Sequence, residues 1–213
     1  MALDTAGPEQ LAGGANRLLV GDEVLQFAAA EPLGGSAWRL TGLLRWRGGT
    51  EAAAGRGHPA GVPAVLLDDR LIALEHGALS PGGDVRLAAI GLADGEPVFA
   101  AIANAGLSLR PPPPVHCRAT ALPGGGLDLR WTRRARGAWR WTDGIDAPLV
   151  EELERYRVGA GAPDRPVLAW ETGQPRLTLS ASELSMIPSG TKVWVRQIGS
   201  HALSDAAHLF TPA

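Results

Sequence analysis

Cysteine is almost missing: Cys117 is the only one in 213 residues, so no internal disulfide can form and no disulfide framework holds the fold. Lysine is equally scarce, with Lys192 alone against nineteen arginines. That skew, accompanied by abundant alanine and glycine, reads as GC-rich coding and by itself says little about ligands. No run approaches the ~18–20 uninterrupted apolar residues a bilayer-spanning helix needs, so no membrane insertion is expected. The start, MALDTAGPEQL, carries Asp4 and Glu9 and no basic residue, which argues against a secretory signal peptide. Charge of one sign is lacking too: 20 basic and 22 acidic residues leave a net charge of −2. A generic polyanion binder is strongly basic, so no nucleic acid partner is expected.

Catalytic signatures are likewise missing. There is no H-E-x-x-H, no G-x-S-x-G and no G-x-x-x-x-G-K-[ST], the patterns that build zinc hydrolase, serine hydrolase and nucleotide sites. His58, His76, His116, His201 and His208 are scattered, with no i,i+4 pair and one cysteine, so zinc ligation is not expected. Asp143, Asp146 and Glu151 do not have the spacing of a calcium loop. Glu151, Glu152 and Glu154 resemble the paired carboxylates of glycoside cleavage, but neighbouring carboxylates before a strand are ordinarily solvated. The expectation is a protein that is not an enzyme, with no catalytic residue, no metal and no cofactor.

What is abundant is turn chemistry. Gly 28 and Pro 17 together make about a fifth of the chain, without a fixed period, which suits many turns between short strands better than long helices. Alternation supports strands at Arg17–Val20, Val24–Ala29 and Trp38–Trp46, the last two joined by Gly34-Gly35-Ser36. In the third, Trp38, Leu40, Gly42, Leu44 and Trp46 are expected on one face and Arg39, Thr41, Leu43, Arg45 and Arg47 on the other. Residues 51–61 read as a loop. A hairpin is expected from Val62–Leu67 and Arg70–Leu74 around Asp68-Asp69, and another from Asp84–Leu92 and Glu96–Ile102.

Pro111 to Pro114 form a stiff extended stretch without ladder donors, read as a spacer at residues 111–114 between domains at 1–110 and 115–213. The first part carries net −4 and the remainder net +2. The second part supports strands at Val115–Ala119, Leu127–Thr132, Leu153–Val158, Val167–Trp170, Arg176–Leu179, Leu184–Ile187, Lys192–Ile198 and His208–Thr211. The fold class expected is all-β: a small barrel or sheet domain followed by a β-sandwich.

The later strands resemble the fibronectin type III family. Val115–Ala119 follows a proline, Leu127-x-Leu129-x-Trp131-Thr132 carries the tryptophan of the second strand, and Tyr156-x-Val158 stands for the third. Gly190-Thr191 before Val193-x-Val195 is similar to the turn into the penultimate strand. The corner tyrosine of that family would fall near Val193, which has no hydroxyl.

A longer resemblance runs through Asn16–Phe27, Trp38–Glu51, Val65–Asp68, Pro114–His116, Trp131–Arg134, Asp143–Leu149, Glu151–Val158 and Gln197–Ser200. These segments are similar to the C-terminal region of phage tail-tip and baseplate proteins, including the large "megatron" baseplate protein of gene transfer agents. In that family the motif reads Leu-Leu-Arg-Gly-Arg, and here Trp46 replaces the glycine. The family's long N-terminal part, with its TIM-barrel-like domain, is absent from this sequence. The resemblance implies a fibre-binding piece of a phage or phage-like tail tip, made in the bacterial cytoplasm. The partners it implies are baseplate or hub proteins and a tail fibre or receptor-binding protein, with a homotrimer from particle symmetry.

Arginine and tryptophan are enriched at contact cores between proteins. The interface candidates are therefore Trp38, Arg45, Trp46 and Arg47 in the first part and Arg133, Arg134, Arg136, Trp139 and Trp141 in the second. The alternative is a carbohydrate-binding module for the bacterial envelope, which requires a row of exposed, coplanar tryptophan rings.

Overall fold

The computed structural model describes residues 3–72, 74, 82–136, 144 and 146–212. The chain divides into two compact units, residues 1–75 with 139–145, and residues 76–138 with 146–213.

The first unit is one open four-stranded antiparallel sheet in the order β3-β2-β1-β4, formed by β1 (Arg17–Val20), β2 (Glu23–Gly34), β3 (Ala37–Arg47) and β4 (Ala64–Leu66). No closed barrel occurs among the described residues. Two short helices, α1 (Pro8–Ala12) and α2 (Glu51–Arg56), accompany it. The second of these replaces the expected loop: three consecutive alanines after Thr50 favour helix, and Gly57 ends it. Ala6, Leu11, Leu18, Leu25, Phe27, Ala53 and Ala54 form the buried apolar set. Gln26 is buried among them, its side-chain amide donating to the carbonyls of Leu11 and Ala15, which ties the end of α1 to β2.

β2 and β3 are far longer than their neighbours. β1 pairs with β2 only up to Gln26, whereas β2 pairs with β3 as far as Gly34. Beyond Ala30 of β2 every residue is exposed, so the outer half of the hairpin is a two-stranded arm. The hairpin expected around Asp68-Asp69 reduces to β4 and a turn. Asp68 accepts from the Arg70 amide and guanidinium, which folds residues 68–70 back locally, and Arg70 to Ile72 make no strand.

The second unit carries a two-stranded ribbon, β5 (Asp84–Ala89) with β6 (Val98–Ala103), and two facing sheets. One has the order β11-β8-β7 and the other β10-β9-β12-β13. Their strands are β7 (Val115–Ala121), β8 (Leu127–Thr132), β9 (Tyr156–Ala162), β10 (Arg165–Thr172), β11 (Arg176–Leu179), β12 (Val193–Gln197) and β13 (Ala207–Phe210). Seven antiparallel strands split three and four in this order make a fibronectin type III-like sandwich, and the molecule is all-β in class. Inward-facing Leu129, Trp131, Tyr156, Val158, Leu179, Ile187, Val193 and Val195 form its core. Trp131 meets Tyr156 edge to face with ring centroids 5.2 Å apart, a favourable aromatic geometry.

The strand expected over Leu184–Ile187 is instead the end of a helix, α3 (Ala181–Ser185). Ser180 caps it by accepting from the Glu183 amide, and the Glu183 carboxylate accepts the Ser180 amide in return, a reciprocal capping box. The same carboxylate also accepts from the Trp170 indole. Where Val193 cannot supply a corner hydroxyl, this capped turn secures the β11–β12 connection and places Ile187 in the core. Pro111, Pro112 and Pro114 are buried rather than suspended in solvent. Any Cβ on Gly199 would come within 2.7 Å of the Pro111 ring, so the proline run lies against the sandwich.

Candidate protein-interaction surface

Two of the first unit's interface candidates, Arg45 and Trp46, meet at a residue the sequence did not single out. Glu23 opens β2 and is fully buried, a costly place for a carboxylate unless it is paired. Arg45 meets it with two parallel bonds of 2.7 Å from Nε and Nη2. The Trp46 amide donates to Oε1 at 3.1 Å, and His58 Nε2 lies 2.5 Å from Oε2. The Arg45 hydrogen bond dominates and outweighs the opposing effect of burial, so the Glu23 carboxyl is held down at about 2. Arg45 is therefore an internal tie: its fork is committed to Glu23 and not presented outward.

That tie fixes an irregularity in β3. Val24 pairs with Arg47 and Gln26 with Leu44, so Arg45 and Trp46 together stand opposite Leu25, which is a β-bulge. The extra residue reverses the alternation from there on. Arg47 shares a face with Leu44, Leu40 and Trp38, contrary to the expected arginine face. Trp46 takes φ +65°, a left-handed conformation unusual for a bulky side chain. The glycine of the resembling motif now has a physical reason, because that position requires positive φ. Here tryptophan occupies it, with the side chain turned outward and 59% exposed. Trp38 is half-buried on β3, and Arg47 is half-buried beside the bulge.

In the second unit Arg133 and Arg136 are also internal ties. Arg133 donates to the carbonyls of Ala147 and Pro148, bracing the segment before β9. Arg136 Nε donates to Glu151 Oε1 at 2.7 Å, while Glu151 Oε2 accepts the Ser200 amide at 2.7 Å. Burial would raise the Glu151 carboxyl, but the Ser200 amide and Arg136 overcome it and hold the group below its ordinary range. A general acid needs the opposite shift. Glu154 accepts from the buried Tyr156 hydroxyl at 2.7 Å. Glu151 and Glu154 thus serve the fold's connections, and Glu152 is exposed. Arg134 is half-buried. Trp139 and Trp141 lie outside the described residues.

Among the described tryptophans only Trp46 is exposed; Trp38 and Trp170 are half-buried, and Trp131 and Trp194 are buried. Among the described residues no cluster of three potential metal ligands occurs, and no helix is long and apolar enough to cross a membrane.

Comparison with known proteins gives one family match and remote structural likenesses. Residues 1–65, which end within β4, match the family model described as "Rcc01698-like, C-terminal". No curated protein matches the chain. Among solved structures the chain is similar to the rat CD45 extracellular region, domains d3–d4, at 9% identity over 84% of this chain and 91% of that one, TM-score 0.33. It is also similar to the chicken CNTN1 FN1–FN3 domains, at 13% identity over 90% of this chain and 60% of that one, TM-score 0.29. The sandwich assignment rests on the strand order and core described above, and the family match covers the sheet that carries Trp46.

Proposed function

We propose that this chain is a structural docking component of the tail tip of a phage-like particle of the gene transfer agent kind. Its work is to join baseplate or hub proteins to fibres or receptor-binding proteins, by contact and without turnover of a substrate. The observation that carries the reading is Trp46: an exposed ring on a strained bulge, clamped from beneath by Glu23, inside the segment that matches the family model. A large aromatic held rigidly outside the core costs stability and suits an anchor in a partner's pocket. Symmetry of the particle would multiply such contacts into avidity. The sugar-platform alternative draws no support, because the described residues contain no row of exposed rings.

The test is assembly. Particles purified from producing cells carry this chain at the tail tip, and Trp46→Gly leaves it folded while reducing its incorporation at least tenfold. If the chain is absent from assembled particles, or if the variant incorporates normally, the reading fails.

A further inference from the structure

The outer face of the β11-β8-β7 sheet carries an arginine row whose charge the described residues offset only in part. Arg176 pairs directly with Arg130 across β11 and β8, and Arg118 pairs directly with Arg130 across β7 and β8. Residues directly opposite in antiparallel strands project on the same face. Leu127, Leu129, Trp131, Leu177 and Cys117 face the core, so the three arginines face outward, and all three are exposed. With strands ~4.8 Å apart, they form a line ~10 Å long. The adjacent row is Thr120, Asp128 and Thr178.

Like charges directly opposite one another destabilise a sheet, and here the compensation is thin. Asp128 accepts from Arg130 Nε at 2.6 Å, and Arg176 Nε donates to the neutral Gln174 at 3.1 Å. The Arg118 side chain has no hydrogen bond or ion pair with the described residues. One carboxylate therefore serves three guanidiniums, and much of their forked donor capacity points into solvent.

We propose that this face docks a carboxylate-bearing segment of a neighbouring polypeptide. Guanidinium forks match carboxylates bidentately, and alternate residues of an extended chain place side chains on one side every ~7 Å. Two such carboxylates bridge a line of three arginines, and Thr120 and Thr178 offer hydroxyls beside it. No tryptophan, tyrosine or phenylalanine projects from the outward positions of these strands, so the broad ring platform that a sugar needs is missing from them. A short acidic segment touches the row alone, which is all the matching that its length requires. The inference adds a second contact face to the proposed docking role and relies on that role only for its partner being a protein.

The experiment uses the full chain and a fluorescent peptide of alternating glutamate and threonine, about eight residues long and blocked at both ends. Binding is expected, weakening as salt rises from about 0.05 M to about 0.3 M. Arg118→Gln and Arg176→Gln each weaken it about threefold to fivefold, as for exposed ion pairs. Asp128→Asn tightens it by a similar factor, because Arg130 is then released. Arg118 and Arg176 are exposed and Asp128 is half-buried on the outer face, and unchanged circular dichroism spectra verify folding. Absence of binding, equal binding of the lysine-for-glutamate peptide, or indifference to the three variants overturns the proposal. Tighter, Arg118-dependent binding of heparin, a single-stranded oligonucleotide or phosphatidylserine vesicles also overturns it, in favour of that polyanion. Particle incorporation of the Trp46→Gly variant reports on the tail-tip reading separately, so the two can fail independently.

Discussion

Trp46 and Glu23 define the first unit at the scale of single residues, and each makes a measurable claim. A bulky residue in the left-handed region costs on the order of 1–3 kcal/mol, and glycine in the unfolded chain returns about 1 kcal/mol of that as entropy. Trp46→Gly is therefore expected to stabilise the first unit by about 1 kcal/mol, with the midpoint of thermal unfolding raised by several degrees. A lower midpoint would mean that the ring is held by packing and the backbone is not strained. Glu23 makes the converse claim. Glu23→Gln removes the charge that Arg45, the Trp46 amide and His58 surround, at a cost of ~2–3 kcal/mol by denaturant unfolding; the Arg45 side chain is partly exposed, which lowers the penalty for a broken buried pair. The folded carboxyl sits at about 2, below its ordinary value of 4.5. Its contribution is then complete above 4.5 and is lost as pH falls toward 2. The wild-type chain should lose stability across that window more steeply than the glutamine variant. Trp46 was legible as unusual from the Leu-Leu-Arg-Trp-Arg departure alone. Glu23 was not, because its pairing with Arg45 depends on where the hairpin register slips.

Among elements, the β2–β3 hairpin shows what periodicity can and cannot reveal. Alternation and the Gly34-Gly35-Ser36 turn located both strands, and the faces hold from Trp38 to Leu44. A bulge inserts one residue without disturbing composition, so Arg45 keeps its expected face while Arg47 crosses to the face of Leu44. Gly42 sits midway at φ +64°, where an added Cβ would lie 2.7 Å from that of Ala28. Gly42→Ala combines left-handed strain with a backbone-borne clash and should cost ~2 kcal/mol or more, seen as a shifted urea midpoint with unchanged slope. Helices were the harder elements. α2 and α3 span six and five residues, too short to show a 3.6-residue period, and only their caps mark them. In the sandwich Trp131, Tyr156 and Val158 were legible because buried aromatics and alternation coincide there. The roles of Arg133, Arg136 and Glu151 were not, since loops bring them together across long sequence separations.

For the whole molecule, the proline run bears on how the second unit holds itself together. Every buried member of the sandwich core lies between Leu129 and Leu209, with Cys117, Leu127 and Phe210 packed against them, so the sandwich has what it needs to fold without the first sheet. A free spacer could be removed from it at no cost. Yet Pro111 is fully buried, Gly199 leaves room for its ring, and Arg110 pairs with Asp205 at 3.1 Å just ahead of it. A fragment of residues 106–213 should therefore unfold cooperatively, with the near-ultraviolet circular dichroism expected of the packed Trp131–Tyr156 pair. A fragment of residues 115–213 removes the buried prolines and that ion pair while leaving every strand of the sandwich intact. Its stability should be lower by on the order of 2–3 kcal/mol, mostly from apolar area returned to water. Equal stability of the two fragments would make residues 111–114 a passive spacer, and the packing against Gly199 would then contribute nothing.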